Sequence, residues 1–350
     1  MEIEDVIFLG AGASASEGAP LQGSLFKDYF LHSRNNPEEL DQAMNQRLRD
    51  FFLSFFGIDT LNHNLNEIIF PTYEECLGIL ELALNRQESF KSFSLTPRTP
   101  DIQRIREDLI FLIAIILNKK LSGTARFHHT LAERLKRENR LKKTAFISSN
   151  YDILIDNALA DLYESFDLDY SIEFTNFESG DDWRRPRKSR AIKLFKLHGS
   201  LNWLYCPTCI SLTLTPKDKR VATLVFRPKV CEKCQSEMIP IIIPPTFFKV
   251  MSNYFLQEIW RQVEITMGEV RKIYFCGYSF PDADIHIKYL LKRIETSQGR
   301  TPEIFIINNH RNKPEEEKRL EEIRYKRFFK CSDRVIYTDL SFQEFCERGI

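Results

Sequence analysis

Val6-Ile7-Phe8-Leu9-Gly10-Ala11-Gly12-Ala13-Ser14 sets four apolar residues running directly into a turn built on two glycines. A run without polar alternation has the form of a strand buried on both faces, as in a parallel sheet, and the glycines mark its passage into a helix. Glycines there let main-chain N–H groups approach an anionic group closely, with the next helix N-terminus favouring negative charge. The third glycine of a dinucleotide fingerprint is missing from its usual place, where Ala13-Ser14 stand, and Gly18 comes later. Such a pair of glycines also occurs in purely structural turns, so both readings stay open at this point.

Further along the chain the pattern repeats. Thr144-Ala145-Phe146-Ile147-Ser148-Ser149 reads as a second parallel strand, with Asn150-Tyr151-Asp152 at its carboxyl end before a helix through Leu154, Ile155 and Ala158. More strands are expected at Ala191 to Leu197, Lys272 to Cys276 and Glu303 to Ile307, and a last one at Val335-Ile336-Tyr337. Strands alternating with helices predict an α/β fold, a Rossmann-like doubly wound parallel sheet whose ligands sit beyond the strand carboxyl ends. Gly10, Asn150, His198, Gly277 and Asn308 all fall at such ends. From about Leu25 to Arg140 the periodicity is helical and rich in phenylalanine, the mark of helix-packing core. The expected organisation is a core of residues 1–24, 141–202 and 239–350, a helical insertion over 25–140 as assembly surface and lid, and a zinc ribbon over 203–238.

Lys196-Leu197-His198-Gly199-Ser200 is followed by Cys206-x-x-Cys209 and then Cys231-x-x-Cys234. Two such pairs can converge on one tetrahedral zinc, and four thiolates leave no open position, so the metal is structural. The ribbon fixes His198 near its foot, which makes that imidazole a candidate for chemistry rather than a stray core histidine. His128-His129 stand before a helix expected over Thr130 to Leu135 and read as capping or packing residues. His63, His286 and His310 lack metal or triad spacing.

Composition excludes several classes. Lysine plus arginine and aspartate plus glutamate each number 49, so no overall field recruits nucleic acid or an anionic membrane. The run Arg184-Arg185-Pro186-Arg187-Lys188-Ser189-Arg190 reads as a solvated loop rather than a nucleic-acid contact. The longest apolar stretch, Leu109 to Leu117, is far short of the roughly 20 residues of a membrane span and reads as a buried helix. The first residues, Met1-Glu2-Ile3-Glu4-Asp5, lack a secretory pattern. Four cysteines in metal-type pairs fit a reducing cytoplasm, and Cys76, Cys276, Cys331 and Cys346 read as small buried hydrophobes.

As a series, these motifs resemble the sirtuin family of NAD-consuming enzymes. Gly10 to Pro20 resembles the family's Gly-Ala-Gly-x-Ser-x-x-x-Gly-x-Pro loop over NAD, and Ser148-Ser149-Asn150-Tyr151-Asp152 its Thr-Gln-Asn-x-Asp. His198-Gly199 and the four cysteines follow at the family's spacing. Gly277-Tyr278-Ser279 is similar to its Gly-Thr-Ser, and Ile307-Asn308 to the strand end that cradles adenosine. The resemblance covers the sheet and ribbon, not most of the helical region before Thr144. Two departures stand out. Pro20 is followed by Leu21-Gln22-Gly23 where the protein deacylases have Asp-Phe-Arg, and Ile241-Ile242-Ile243-Pro244-Pro245-Thr246 replaces their Phe-Gly-Glu peptide strand. Proline cannot donate to a ladder, so peptide pairing there is impaired. In Asn150-Tyr151-Asp152, in Gly277-Tyr278-Ser279-Phe280-Pro281-Asp282-x-Asp284 and in the helical insertion, the chain looks instead like bacterial sirtuin-like NADases that act in antiphage defence.

The resemblance implies NAD+ as substrate, contacted by Gly10, Ala11, Gly12, Ser14, Asp152, Gly277, Tyr278, Ser279 and Asn308, with Asp152 on the nicotinamide carboxamide. Asn150 and His198 are the expected catalytic pair. A carboxamide can accept from a water and donate to a ribose hydroxyl, and an imidazole of ordinary pKa about 6.5 can take a proton near neutrality. Asn150 as a helix cap, and Asp152 as a first-turn carboxylate, are the plain structural alternatives. Hydrolysis of NAD to nicotinamide and ADP-ribose is the expected activity. Protein deacylation or ADP-ribosyl transfer, and a non-catalytic nucleotide sensor, are the alternatives. A free-standing toxic NADase leads us to expect control from homo-oligomer assembly or from a separate regulatory subunit such as an ATPase.

Overall fold

The computed structural model describes residues 2–91, 93, 95, 101–121, 126–162, 164–177, 183–215, 229–242, 253–282, 284–299, 301–311 and 313–350. Ten strands occur in it: β1 (Asp5–Leu9), β2 (Thr144–Ser148), β3 (Asp167–Asp169), β4 (Ala191–Lys196), β5 (Gly199–Cys206), β6 (Ser211–Leu214), β7 (Ile239–Ile242), β8 (Lys272–Cys276), β9 (Glu303–Ile307) and β10 (Val335–Tyr337). The helices are α1 (Ala11–Ala15), α2 (Leu25–Asn35), α3 (Gln42–Phe56), α4 (Tyr73–Arg86), α5 (Ile102–Lys120), α6 (Arg126–Arg137) and α7 (Leu154–Ala160). They continue with α8 (Tyr254–Met267), α9 (Ile285–Gln298), α10 (Glu315–Phe328) and α11 (Phe342–Arg348).

Seven strands form one parallel sheet in the order β10-β9-β8-β1-β2-β4-β3. The doubly wound fold read from the sequence is the one observed, and the six strands expected from apolar runs all lie in this sheet. β3 was not anticipated, because Asp167-Leu168-Asp169 at the edge has no apolar run to reveal it. The register brings the carboxyl ends into line. Leu9 pairs with Ser148 on one side and Cys276 on the other, Cys276 pairs with Ile307, and Ser148 with Lys196. The order of strand addition reverses about β1, with β2, β4 and β3 on one side and β8, β9 and β10 on the other, which makes it the switch point where such sheets hold ligands.

The glycines at this edge serve packing first. A Cβ on Gly10 would lie 2.6 Å from the Gly277 carbonyl oxygen, and one on Gly12 2.8 Å from the Gly277 Cα. Gly277 has φ +61°, and a side chain there would fall on the main chain of Gly12 and Ala13. Gly10 N–H donates to Cys276 O at 2.9 Å and Gly12 N–H to Gly277 O at 2.8 Å. The turns after β1 and β8 are thus packed backbone on backbone. Gly199, at φ +83°, is likewise needed where Ile241 of β7 crosses it.

Two large apolar clusters form. Val6, Phe8, Phe146, Leu194, Phe275 and Ile306 belong to the cluster of the sheet, where burying each side chain contributes about 1.5–3 kcal/mol. A second cluster joins α2 to α5 through Phe26, Phe30, Phe51, Phe52, Leu77 and Leu109. α6 falls within the segment read as the insertion, yet Leu131, Ala132 and Leu135 join the sheet cluster. Conversely Leu201 of β5 and Ile242 of β7 pack into the helical cluster. Leu109 to Leu117 lies in α5, buried as expected. No helix among the described residues is long and apolar enough to cross a membrane.

His128 and His129 lie inside α6 rather than ahead of it. His128 Nδ1 meets Glu17 Oε1 at 3.1 Å and its ring packs on Phe342, so it packs rather than caps. The arginine run is also more than solvated. Arg184 Nε and Arg187 Nε reach the two oxygens of fully buried Asp167 at 3.1 and 3.0 Å, which neutralises that carboxylate at the sheet edge.

The three-stranded antiparallel sheet β6-β5-β7 carries the cysteine pairs. Each Cys-x-x-Cys turn is closed the same way: Ile210 N–H donates to Cys206 O and Gln235 N–H to Cys231 O, with Ile210 and Gln235 in positive φ. The sulfurs of Cys206, Cys209, Cys231 and Cys234 lie within 4.8 Å of one another. Zinc–sulfur bonds of about 2.3 Å in a tetrahedron put sulfurs about 3.8 Å apart, so the four thiols fit a structural zinc. Cys76, Cys276 and Cys346 are buried, as expected, and burial pushes their thiols up, whereas Cys331, expected to be buried with them, is only half-buried in the segment after α10.

The purified protein should carry about one zinc per chain by metal analysis, and Cys231→Ser or chelation should lower Tm, because metal binding is coupled to folding. Gly277→Ala should cost about 3 kcal/mol or more by denaturant melts, since it combines positive-φ strain with a backbone collision.

Candidate active site

One cleft of about 710 Å3 opens along the carboxyl edge of the sheet. Ala11, Gly12 and Ser14 line it after β1, Asn150 and Asp152 after β2, and His198 after β4. Gly277, Tyr278 and Ser279 follow β8, and Asn308 follows β9. Gly10 sits at the base of this edge, where Asn150 binds its carbonyl. The expected site residues from five strand ends are therefore brought together.

Asn150 and Asp152 meet on Ser14. Ser14 Oγ donates to Asp152 Oδ2 at 2.6 Å, and Asn150 Nδ2 donates to Ser14 Oγ at 2.8 Å and to Gly10 O at 2.9 Å. Gly10 O can only accept, which fixes the nitrogen end of the amide. Both Asn150 N–H groups are thereby committed, and what the side chain offers a ligand is its carbonyl oxygen. The expectation that it also donates to a ribose hydroxyl is corrected. Asn150 does not cap α7. The N-cap is Ile153, and Asp152 just before it accepts from Leu154 N–H at 3.1 Å through Oδ1 while Oδ2 holds Ser14.

His198 is 3 % exposed yet lines the cleft. Its Nδ1 lies 3.1 Å from Ser149 O, a carbonyl that needs a donor, so the neutral ring carries its proton on Nδ1 and its lone pair on Nε2. The Tyr151 ring stands 6.3 Å away, and burial, with Tyr73, Asp284 and Glu74 nearby, keeps its phenol protonated.

Two expected NAD contacts are used internally. Gly12 N–H is spent on Gly277 O, so an anion would have to use other donors of this turn. The Tyr278 ring packs among Phe8, Phe275 and Phe280, and its hydroxyl donates to Asp284 at 2.9 Å. Asn308 repeats the Asn150 arrangement: Nδ2 donates to Tyr278 O at 3.0 Å and to Glu321 Oε1 at 2.6 Å.

Several lining residues carried no signal in the sequence. Tyr73 and Glu74 open α4, and Ile113 and Leu117 come from α5, so the helical layer walls the cleft that holds His198. At the β9 end His310 Nε2 pairs with buried Glu321 at 3.1 Å. The loop after α1 is tethered by Glu17. Burial opposes its ionisation, but bonds from the His128 side chain and from the main chain of His128 and Phe127 outweigh this and hold its pKa down.

A family model described as a SIR2-like domain matches residues 144–328. No curated protein matches the chain. Among solved structures, a Sir2 homolog–NAD complex is similar at 15% identity and TM-score 0.47, covering 98% of this chain and 86% of that one. Sir2Tm bound to a propionylated peptide and a Sir2–p53 peptide–NAD+ complex each show 15% identity and TM-score 0.41, covering 99% of this chain and 91% of theirs. The matched model spans more than half of the 350 residues, including the ends of β2, β4, β8 and β9, and the chain belongs to the SIR2-like family, the sirtuin-type NAD-binding enzymes.

Proposed function

We propose that this protein cleaves the nicotinamide–ribose bond of NAD+ and passes the ADP-ribosyl group to water. The observation that supports the chemistry is the convergence of Asn150, Asp152 and His198 on one cleft, with the Asn150 donors committed to Gly10 and Ser14 and the His198 proton held on Nδ1 toward Ser149. As nicotinamide leaves C1′ with the bonding pair, the ribose becomes cationic. A water held by Asn150 Oδ1 attacks C1′, and its proton passes to His198 Nε2, which the Ser149 carbonyl keeps in the required tautomer. NAD+ and water become nicotinamide, ADP-ribose and a proton. Asp152, anchored by Ser14 and Leu154, keeps lone pairs to accept from the leaving carboxamide. The NAD contacts carried here are those expected of Ala11, Ser14, Ser279 and Asn308.

Water as acceptor is the reading we favour, with Tyr73, Ile113 and Leu117 of the helical layer lining the same cleft as His198. Transfer to an acyl-lysine peptide is the second reading. The propionylated-peptide and p53-peptide complexes match it better than they match hydrolysis. Ile243 to Thr246, whose prolines speak against peptide pairing, lie outside the described residues. On the hydrolytic reading the protein is an NAD-depleting effector of bacterial antiphage defence, with the helical layer as assembly surface and lid. Control by homo-oligomer formation or by an ATPase-type subunit belongs to the same proposal.

Incubated with NAD+ alone, the protein should release nicotinamide and ADP-ribose by chromatography. His198→Ala and Asn150→Ala should each lower the rate by about 10²-fold or more. Turnover that appears only when an acylated peptide is added, with deacylated peptide among the products, would replace hydrolysis by the second reading. Size-exclusion chromatography should show the active species as an oligomer or as dependent on an added subunit, and a fully active monomer would remove that part of the proposal.

A further inference from the structure

Lys196 ends β4 two residues before His198, and its side chain is 0 % exposed. Its ammonium donates to the main-chain carbonyl of Asp152 and lies 3.1 Å from Asp156 Oδ2 on α7, also 0 % exposed. The other Asp156 oxygen accepts from Tyr170 OH at 2.6 Å. An ammonium buried this completely is held only where its hydrogen bonds are met, and here one of them ends on the loop that carries Asn150 and Asp152.

The neighbouring bonds show why a side chain is needed there. Leu197 N–H takes Ser148 O at 3.0 Å, His198 Nδ1 takes Ser149 O, and Leu201 N–H takes Tyr151 O at 2.9 Å. Ser148 Oγ reaches Asn150 O at 3.5 Å. Asp152 O is the remaining carbonyl of the loop, and Lys196 Nζ is the donor that meets it. The segment from Lys196 to Leu201 thus binds four of the five carbonyls between Ser148 and Asp152.

We infer that Lys196 is a positioning residue of the active site: through the Asp152 carbonyl, and braced by Asp156, it sets the loop that aims Asn150 and Asp152 at the substrate. Its effect on rate rests on the NAD-cleaving reading, whereas its effect on the loop does not. Lys196→Met alone would strand the Asp156 carboxylate, so the informative variant is Lys196→Met with Asp156→Asn, which removes both charges and leaves an acceptor for Tyr170.

Amide exchange by mass spectrometry and NAD turnover are read together. In the double variant exchange should rise about tenfold over Tyr151 to Leu154 and stay unchanged in β1 and β8. The kcat should fall about 10–100-fold while KM for NAD+ stays within about threefold, as for a misplaced rather than a lost group. Asp156→Asn alone, which keeps the Lys196 contact to Asp152 O, should restore most of the kcat. A double variant that unfolds, that loosens the whole sheet, or that matches the parent in both loop exchange and kcat overturns the inference. Absence of NAD turnover in the parent defeats the proposed function instead, and loop exchange then decides on Lys196 by itself.

Discussion

Everything at the ligand edge depends on how the carbonyls between Ser148 and Asp152 find donors. A strand that ends within a molecule leaves main-chain oxygens that the ladder no longer pairs, and an unpaired one away from water is costly. Here the stretch from the end of β4 into β5 supplies nearly all the partners, with Lys196 and His198 among them. The imidazole to which we assign the proton transfer is therefore also part of the brace. Its proton on Nδ1 is set by a structural bond, which makes Nε2 the basic nitrogen of the neutral ring.

The same economy governs the glycines and asparagines. Gly10, Gly12 and Gly277 allow two strand-end turns to lie against each other without side chains between them. Asn150 and Asn308 then stitch adjacent turns together, each spending both amide hydrogens on a neighbour. Packing and ligand binding are compatible because the turns present edges to the cleft once their mutual bonds are made.

The fold was largely legible in the chain because parallel strands buried on both faces write themselves as apolar runs. β8 and β9 have the bounds expected of them, and β1, β2 and β4 differ by a single residue at one end. The strand ends carrying Gly10, Asn150, His198, Gly277 and Asn308 were legible for the same reason. β3 was hidden because an edge strand flanked by aspartates has no such run. β5, β6 and β7 were hidden because a metal-type ribbon is read through its cysteines and not through its ladder.

Residue types and their order by themselves determined the sheet, the thiol cluster and which side chains reach one edge, since all of these follow from local periodicity and short spacing. Only the tertiary structure decided what those side chains do there. It spent the Asn150 donors on Ser14 and Gly10, put the Tyr278 ring into the core, set the His198 tautomer, and brought Tyr73, Glu74, Ile113 and Leu117 to the cleft. The reason is that hydrogen-bond partners and cleft walls come from residues more than a hundred positions apart in places, as Ser14 and Asp152 are, and no local pattern records such a meeting.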